Sequence, residues 1–146
     1  MNAPTCMHRS RGQRGVSLIE VLVAIFVLSL GVLAMAGLQL SSMRTSQGAL
    51  LRSQAATLAT DMADRMRANL TGAATYVIGE TDADPTGTTI RDVDLRDWRM
   101  RVRALPNGRS SVAFNDPVAT IRVVWDDRRA GGGADEALEL VVRLRN

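Results

Sequence analysis

Hydrophobic and polar residues follow three successive patterns along this chain, and the first pattern is the most distinctive. From Val16 to Leu38 the chain is apolar almost without interruption, and Glu20 is its only ionisable side chain. As a helix, this run would extend roughly 35 Å, enough to cross a hydrocarbon core of about 30 Å. The segment therefore predicts a helix that crosses a membrane.

The second pattern begins beyond Leu38, where apolar residues recur at spacings of three, four and seven, as on one face of an amphipathic helix. The residues from Asn69 to Gly72 are typical of a helix end. We therefore expect one helix over residues 16–70, with a transmembrane and assembly part at 16–38 and an amphipathic part at 39–70. The apolar positions of the second part are Leu40, Met43, Leu50, Leu51, Ala55, Leu58, Met62, Met66 and Leu70.

The third pattern is the alternation typical of strands, in the last third of the chain. Strands are predicted at Ser111–Phe114, Ala119–Trp125 and Ala137–Leu144, separated by turn residues that include three consecutive glycines at 131–133. Their apolar faces would pack against the helix between Gly48 and Asn69. The predicted fold is therefore α+β, a long N-terminal helix packed on a C-terminal antiparallel sheet, and residues 71–146 form a small head.

The connection between helix and sheet is less regular. From Thr71 to about Asp92 the chain is rich in Gly, Thr, Asp and Pro, which indicates a surface loop. The following segment fits a helix with Asp94 as N-cap and Pro106 just after its end, and it also fits a strand; the helix is favoured. In both cases the arginines at 99, 101 and 103 point away from the apolar residues, as a solvated basic face.

The charge distribution determines which end of the apolar run faces the cytoplasm. Arg9, Arg11 and Arg14 precede the run, and no acid accompanies them, which predicts that this end stays in the cytoplasm. Without these three arginines, 15 arginines remain against 15 acids, because the whole chain has 18 basic and 15 acidic residues. The arginines at 99, 101 and 103 have acids beside them and no aromatic residues interleaved to stack bases, so we expect no nucleic-acid binding.

Two residues at the start of the apolar run stand out. Gly15 lies immediately before the run, so cleavage there would remove the basic leader, residues 1–15, and leave the whole apolar helix on the mature chain. Glu20 needs a partner or a function, because a carboxylate in a membrane helix costs on the order of a few kcal/mol near the centre and less near an end. A new amine at Val16 is one such partner, if it comes from a neighbouring subunit.

Arg14 and Gly15, followed by Val16-Ser17-Leu18-Ile19-Glu20, resemble the class III signal of type IV pilins and pseudopilins. The resemblance implies that prepilin peptidase cuts between Gly15 and Val16 and methylates the amine of Val16, and that Glu20 acts in assembly. The family most often has Phe where this chain has Val16. The implied fold is the pilin fold, and the implied partners are prepilin peptidase, major and other minor pilins, inner-membrane lipid and the pilus assembly machinery.

A narrower resemblance begins at the predicted end of the helix. The sequence from Asp61 to Asn69, together with Trp98, the Leu105–Gly108 turn and the Val124–Asp127 segment, is similar to the minor pilins called type IV pilus modification protein PilV. Cys6 is the only cysteine and would leave with the leader, so the mature chain cannot form the disulfide loop of many major pilins. Both features favour a minor pilin.

The resemblance implies a structural subunit that initiates or modifies a pilus. The subunit would lie first in the bacterial inner membrane and then in the pilus at the cell surface. Three alternatives remain open: a minor pseudopilin of type II secretion, a pilus-tip module for adhesion or DNA uptake, and a signal-anchored domain. We expect no enzyme and no cofactor or metal, because the predicted mature chain has no His or Cys and no phosphate-binding loop with a lysine.

Overall fold

The structure is a computed structural model and describes residues 15–144; the predicted leader up to residue 14 lies outside the described residues. Helix α1 spans Leu18–Ala68, and a 3-10 helix at Leu70–Tyr76 follows it. Helix α2 spans Ile90–Val102. Strands β1, β2 and β3 span Arg109–Asn115, Val118–Trp125 and Glu136–Arg143, with a short 3-10 turn at Arg128–Ala130 before β3. The predicted α+β fold, a long N-terminal helix followed by an antiparallel sheet, is confirmed.

The chain divides into two compact units, Met1–Gln39 and Leu40–Asn146, and the boundary falls within α1. In the first unit the helix meets the length and apolarity of a membrane span, with a mean hydropathy of 2.7 over its most apolar window. None of that window is buried within the structure. An apolar helix without any protein around it needs lipid or other subunits to cover it.

The sheet of the second unit has the order β1-β2-β3, and both neighbouring pairs are antiparallel. Ile121 is paired with Val112 on one side and with Leu140 on the other, so the centre of the sheet is aliphatic on one face. Ile78 adds a single bridge at the free side of β1, where its N–H donates to the Val112 carbonyl at 3.0 Å. This bridge covers part of an otherwise open edge.

The core of the second unit lies between α1 and one face of the sheet. As predicted, Ile121, Val123 and Trp125 share the buried face of β2. From α1 the core receives Ala55, Ala59, Met62, Ala63 and Met66.

Two parts of the predicted apolar face of α1 require correction. Ala59 and Ala63 are fully buried, although alanine contributes little to an apolar pattern. Leu40, Met43 and Leu50 follow the predicted spacing and yet are exposed. The reason is that the packing surface of α1 within the described residues begins only near Leu51.

Helix α2 confirms the helical interpretation over the strand, but its start differs from the prediction. The helix begins at Ile90 with Thr89 as N-cap, whose hydroxyl accepts a hydrogen bond from the Asp92 N–H at 3.3 Å. Asp94 lies one turn inside the helix and is not a cap. Thr89 and Asp92 form a variant of the capping box, which is the sequence signal for this start.

Candidate processing and assembly site

The predicted cleavage point lies outside regular secondary structure. Gly15, Val16 and Ser17 precede the first helical residue, Leu18. Gly15 and Val16 are both exposed, and Val16 retains 69% of its full accessibility. No side chain of the described residues lies within 4 Å of the position that a Cβ on Gly15 would occupy. Both residues of the predicted cleavage bond are therefore exposed within the described part of the chain.

Glu20 occupies the first turn of α1. The Ser17 carbonyl accepts hydrogen bonds from the N–H groups of Glu20 at 3.0 Å and Val21 at 3.3 Å, which starts the helix. The first turn is the positive end of the helix dipole, so a carboxylate is favourable there. The Glu20 side chain is exposed, and no ion pair to it occurs within residues 15–144.

The surface around Glu20 is uniformly apolar. The large apolar side chains from Val16 to Leu38 are all exposed, and Gly31 and Gly37 have open space around them within the described residues. Gly48, the third helical glycine, lies instead beside the β2–β3 connection, where an added Cβ would approach Asp127 Oδ2 to 3.1 Å. Helix α1 continues through all three glycines without interruption.

The second unit has a polar network where the end of α1 meets α2. Asp94 accepts hydrogen bonds from Arg65 at 2.7 Å and from the Tyr76 hydroxyl at 2.7 Å, and Arg65 also bonds to Asp61 at 3.1 Å. Burial and then the bond to Asp94 raise the pKa of the Tyr76 phenol. Arg101 of α2 bonds to Asp61 as well, at 2.8 Å. The charged residues near the end of α1 therefore join three elements instead of forming only a solvated face.

The predicted basic face of α2 also requires correction, because its arginines are paired and one of them is buried. Arg99 is only 6% exposed and donates to the carbonyls of Asp82 at 2.7 Å and Glu80 at 3.1 Å. Arg103 binds both carboxylate oxygens of Asp84, at 2.6 and 2.7 Å. These arginines hold the loop before α2, a role that the alternation of charges did not reveal.

Two acids of that loop, Glu80 and Asp84, are paired with arginines. Glu80 is paired with Arg109 and with Arg122, which lie on neighbouring strands. The bonds from Arg103 lower the pKa of Asp84, with Arg99 and Arg96 adding to the effect. Within residues 15–144 no group of His, Cys, Asp or Glu is arranged to hold a metal ion.

Comparison with protein-family models gave two matches. Residues 37–92 match the family described as Type IV pilin Tt1218. Residues 10–36 match the Prokaryotic N-terminal methylation motif, a range that includes the cleavage point and Glu20. No curated protein and no solved structure matched the chain.

The two matched ranges adjoin and lie at the elements described above. The methylation motif covers the start of α1 with its exposed apolar surface, and it implies prepilin processing and a pilus context. The pilin match covers the amphipathic part of α1 and the loop before α2. The matched family is structural and not enzymatic. A partial match to a type IV pilin family, a match to an N-terminal methylation motif and an α+β pilin-like fold thus occur in one chain, and together they support a pilin subunit.

Proposed function

We propose that this protein is a minor type IV pilin, a structural subunit that helps to initiate or modify the pilus. Prepilin peptidase cuts the precursor between Gly15 and Val16 and methylates the amine of Val16. The mature chain stays in the inner membrane with its N-terminus towards the cytoplasm and its head in the periplasm. It then enters the filament with the major pilin and other minor pilins through the assembly machinery.

One observation carries the proposal: the first part of α1 is apolar, wholly exposed and interrupted by a single carboxylate. Lipid covers such a helix before assembly, and the helices of neighbouring subunits cover it afterwards. The exchange costs little hydrophobic free energy, because lipid tails and apolar side chains are similar environments. A membrane-anchored subunit can therefore leave the bilayer only where another apolar surface receives it.

Glu20 supplies the specific contact in this exchange. Its carboxylate has no ion-pair partner among the described residues and lies in the first turn of α1. In the filament it meets the new amine on Val16 of a neighbour, which offsets the desolvation of both charges. Because only one axial position brings the two groups together, this pair fixes the register of the subunits.

The minor-pilin assignment is supported by the sequence from Asp61 to Asn69, which is similar to PilV minor pilins, and by the absence of cysteine from the predicted mature chain. In the fold, this segment contributes Asp61 and Arg65 to the network with Asp94 of α2. The network joins α1 to α2 and so supports the head of the subunit. A minor pseudopilin of type II secretion would share the same leader and the same carboxylate.

The test measures how much of the protein enters sheared pili. Glu20→Ala should still be processed but should be missing from the sheared fraction, because the Val16 amine of the neighbour loses its partner. The matched control is Glu139→Ala, which removes an exposed carboxylate from β3 and should enter pili like the wild type. Equal incorporation of both variants would contradict the proposal. A deletion strain with normal pili but impaired protein secretion would instead identify a pseudopilin.

A further inference from the structure

The side of α2 that faces away from the core has a second, exposed apolar surface. Ile90, Val93 and Met100 are 69%, 38% and 63% exposed, while Leu95, Trp98 and Val102 fill the core side of the same helix. With Asp97, the exposed residues follow spacings of three, four and three. We call this surface, Ile90, Val93, Asp97 and Met100, the α2 seam. Such spacing is typical of a helix that packs along another helix.

Asp97 gives the α2 seam a specific requirement. Its neighbours on α2 are paired, Asp92 with Arg91 and Asp94 with Arg65. No ion pair to Asp97 occurs within residues 15–144. When a helix covers the seam, this carboxylate loses water and needs a cation at the same place, since an unpaired buried charge is strongly destabilising.

The amphipathic part of α1 has a surface with the complementary features. Leu40, Met43 and Leu50 are 52%, 65% and 58% exposed and, with Gln47, follow the same spacings of three, four and three. We call these four residues the α1 seam. Arg44 lies beside Met43, is exposed, and has no ion pair within the described chain. Both seams belong to the unit Leu40–Asn146.

We propose that the α2 seam of one copy docks on the α1 seam of a second copy, with Asp97 paired to Arg44. The inference rests on the proposed function, because a filament subunit must contact its neighbours. The two seams match in spacing and in apolar character, and their unpaired charges are opposite. Charge complementarity of this kind selects the partner and its position.

The contact cannot form within one chain. The indole N–H of Trp98 donates to the Leu58 carbonyl at 2.9 Å, which places α2 beside Leu58. Arg44 precedes Leu58 by 14 residues, roughly 21 Å along the helix. Because the two surfaces differ, the contact is heterologous, and repeating it gives an open chain of subunits instead of a closed dimer.

The experiment uses two forms of the full chain, co-expressed in a host that makes no other pilin. Cys6→Ser is present in both forms, because Cys6 is the only natural cysteine. One form carries Gln47→Cys and the other carries Met100→Cys, each one helical turn from the proposed ion pair. A short bismaleimide should link the two forms into a dimer in membranes. The matched control replaces Met100→Cys with Val141→Cys, which is 60% exposed on β3 and should give no dimer.

Charge reversal then tests the ion pair itself. Asp97→Arg alone and Arg44→Asp alone should each lower the linked fraction about tenfold, and the two together should restore it. Asp116→Arg, at an exposed carboxylate outside both seams, should change nothing. The proposal would be overturned if the single charge reversals left the linked fraction unchanged. It would also be overturned if the double variant linked as little as the single variants.

The proposal would also be overturned if the two cysteine forms gave no dimer while Asp97 and Arg44 were both unchanged. In that case, protection of Gln47→Cys from a water-soluble maleimide would identify lipid as the cover of the α1 seam. Failure of this contact is distinguishable from failure of the pilin assignment. If the same cysteine variants, expressed in a strain that makes pili, are processed and enter the pili without linking, the contact is wrong and the pilin assignment stands. If prepilin peptidase does not process them, the pilin assignment itself fails.

Discussion

Arg99 should contribute more to the stability of the head than any other arginine of α2, and replacing it with methionine tests this expectation. Arg99 is 6% exposed, and its guanidinium donates to the carbonyls of Asp82 and Glu80. Arg99→Met keeps the apolar stem and removes the charged group. The matched control is Arg103→Met at the C-cap of the same helix. The Arg103 side chain is 52% exposed and binds Asp84, whose Oδ1 also lies 3.3 Å from Arg99 Nε.

The magnitude follows from the bonds that each variant loses. A hydrogen bond to a charged group contributes about 1.5–3 kcal/mol, so two such bonds from Arg99 set an upper limit of about 6 kcal/mol. Two effects reduce this figure: the loop carbonyls can bind water once released, and Asp84 keeps Arg103. We expect Arg99→Met to lower the free energy of unfolding by about 2–3 kcal/mol. An exposed ion pair contributes at most about 1 kcal/mol, which limits the loss for Arg103→Met.

The assay is urea unfolding of the full chain in detergent micelles, followed by tryptophan fluorescence. The two tryptophans, Trp98 and Trp125, are both buried in the unit Leu40–Asn146, so the signal reports this unit and not the apolar helix. If Arg99→Met and Arg103→Met lowered the free energy of unfolding equally, burial of Arg99 would make no difference and the expectation would be wrong. A stable Arg99→Met protein would also contradict the expectation.

Three further predictions concern the same unit. Gly108→Ala should be strongly destabilising in the same urea assay, because its Cβ would lie 1.9 Å from the Val102 carbonyl oxygen. The control is Gly131→Ala, whose Cβ would meet no atom within 4 Å. Its loss of unfolding free energy should be about 1–2 kcal/mol and comes only from the backbone φ of 92°. The bonds from Arg103 hold the pKa of Asp84 below its ordinary value, so the ionised Asp84 stabilises the fold above about pH 4, and this stabilisation is lost as the pH falls further. In Asp84→Asn, the free energy of unfolding should depend less on pH in this acidic range. Ala59→Leu should lower stability by about 1–3 kcal/mol through overpacking, measured as the urea midpoint, since Ala59 is completely buried.

Periodicity predicted the elements of this fold well where one face of an element is buried and the other is not. Ala119, Ile121 and Val123 alternate with half-buried residues along β2, and this pattern depends only on the strand itself. The start of α2 could also have been found locally, because Thr89 and Asp92 have the spacing of a capping box. The apolar pattern begins at Leu95 and therefore favours Asp94 as the cap, which is one turn too late.

Other features depend on residues that are distant in the sequence. Arg99 looks like part of a solvated row, and its burial follows from the loop at residues 80–84, whose path no local pattern predicts. Ala59 and Ala63 carry too little apolar surface to mark a core face, although they are where the core packs on α1. Asp94 joins Arg65 across 29 residues of sequence, so only the folded chain shows the pair.

The processing site differs from these features, because Gly15, Val16 and Glu20 lie within six residues of one another. Their roles are predicted from this short sequence and from the pilin signal that it resembles. The structure adds that the bond lies before the helix and that Glu20 occupies the first turn. The proposed partners of these residues, a peptidase and neighbouring subunits, are separate proteins that the fold of this chain does not describe. The roles of the three residues therefore remain predictions.

The proposed processing is tested most directly by the N-terminal mass of the protein from cells with and without prepilin peptidase. We expect a chain that starts at Val16 and carries one added methyl group in cells with the enzyme, and an uncut chain in cells without it. Gly15→Ala should leave the chain uncut in both strains. A wild-type chain that starts at Met1 in both strains would contradict the account and would indicate a signal-anchored protein that never enters a pilus.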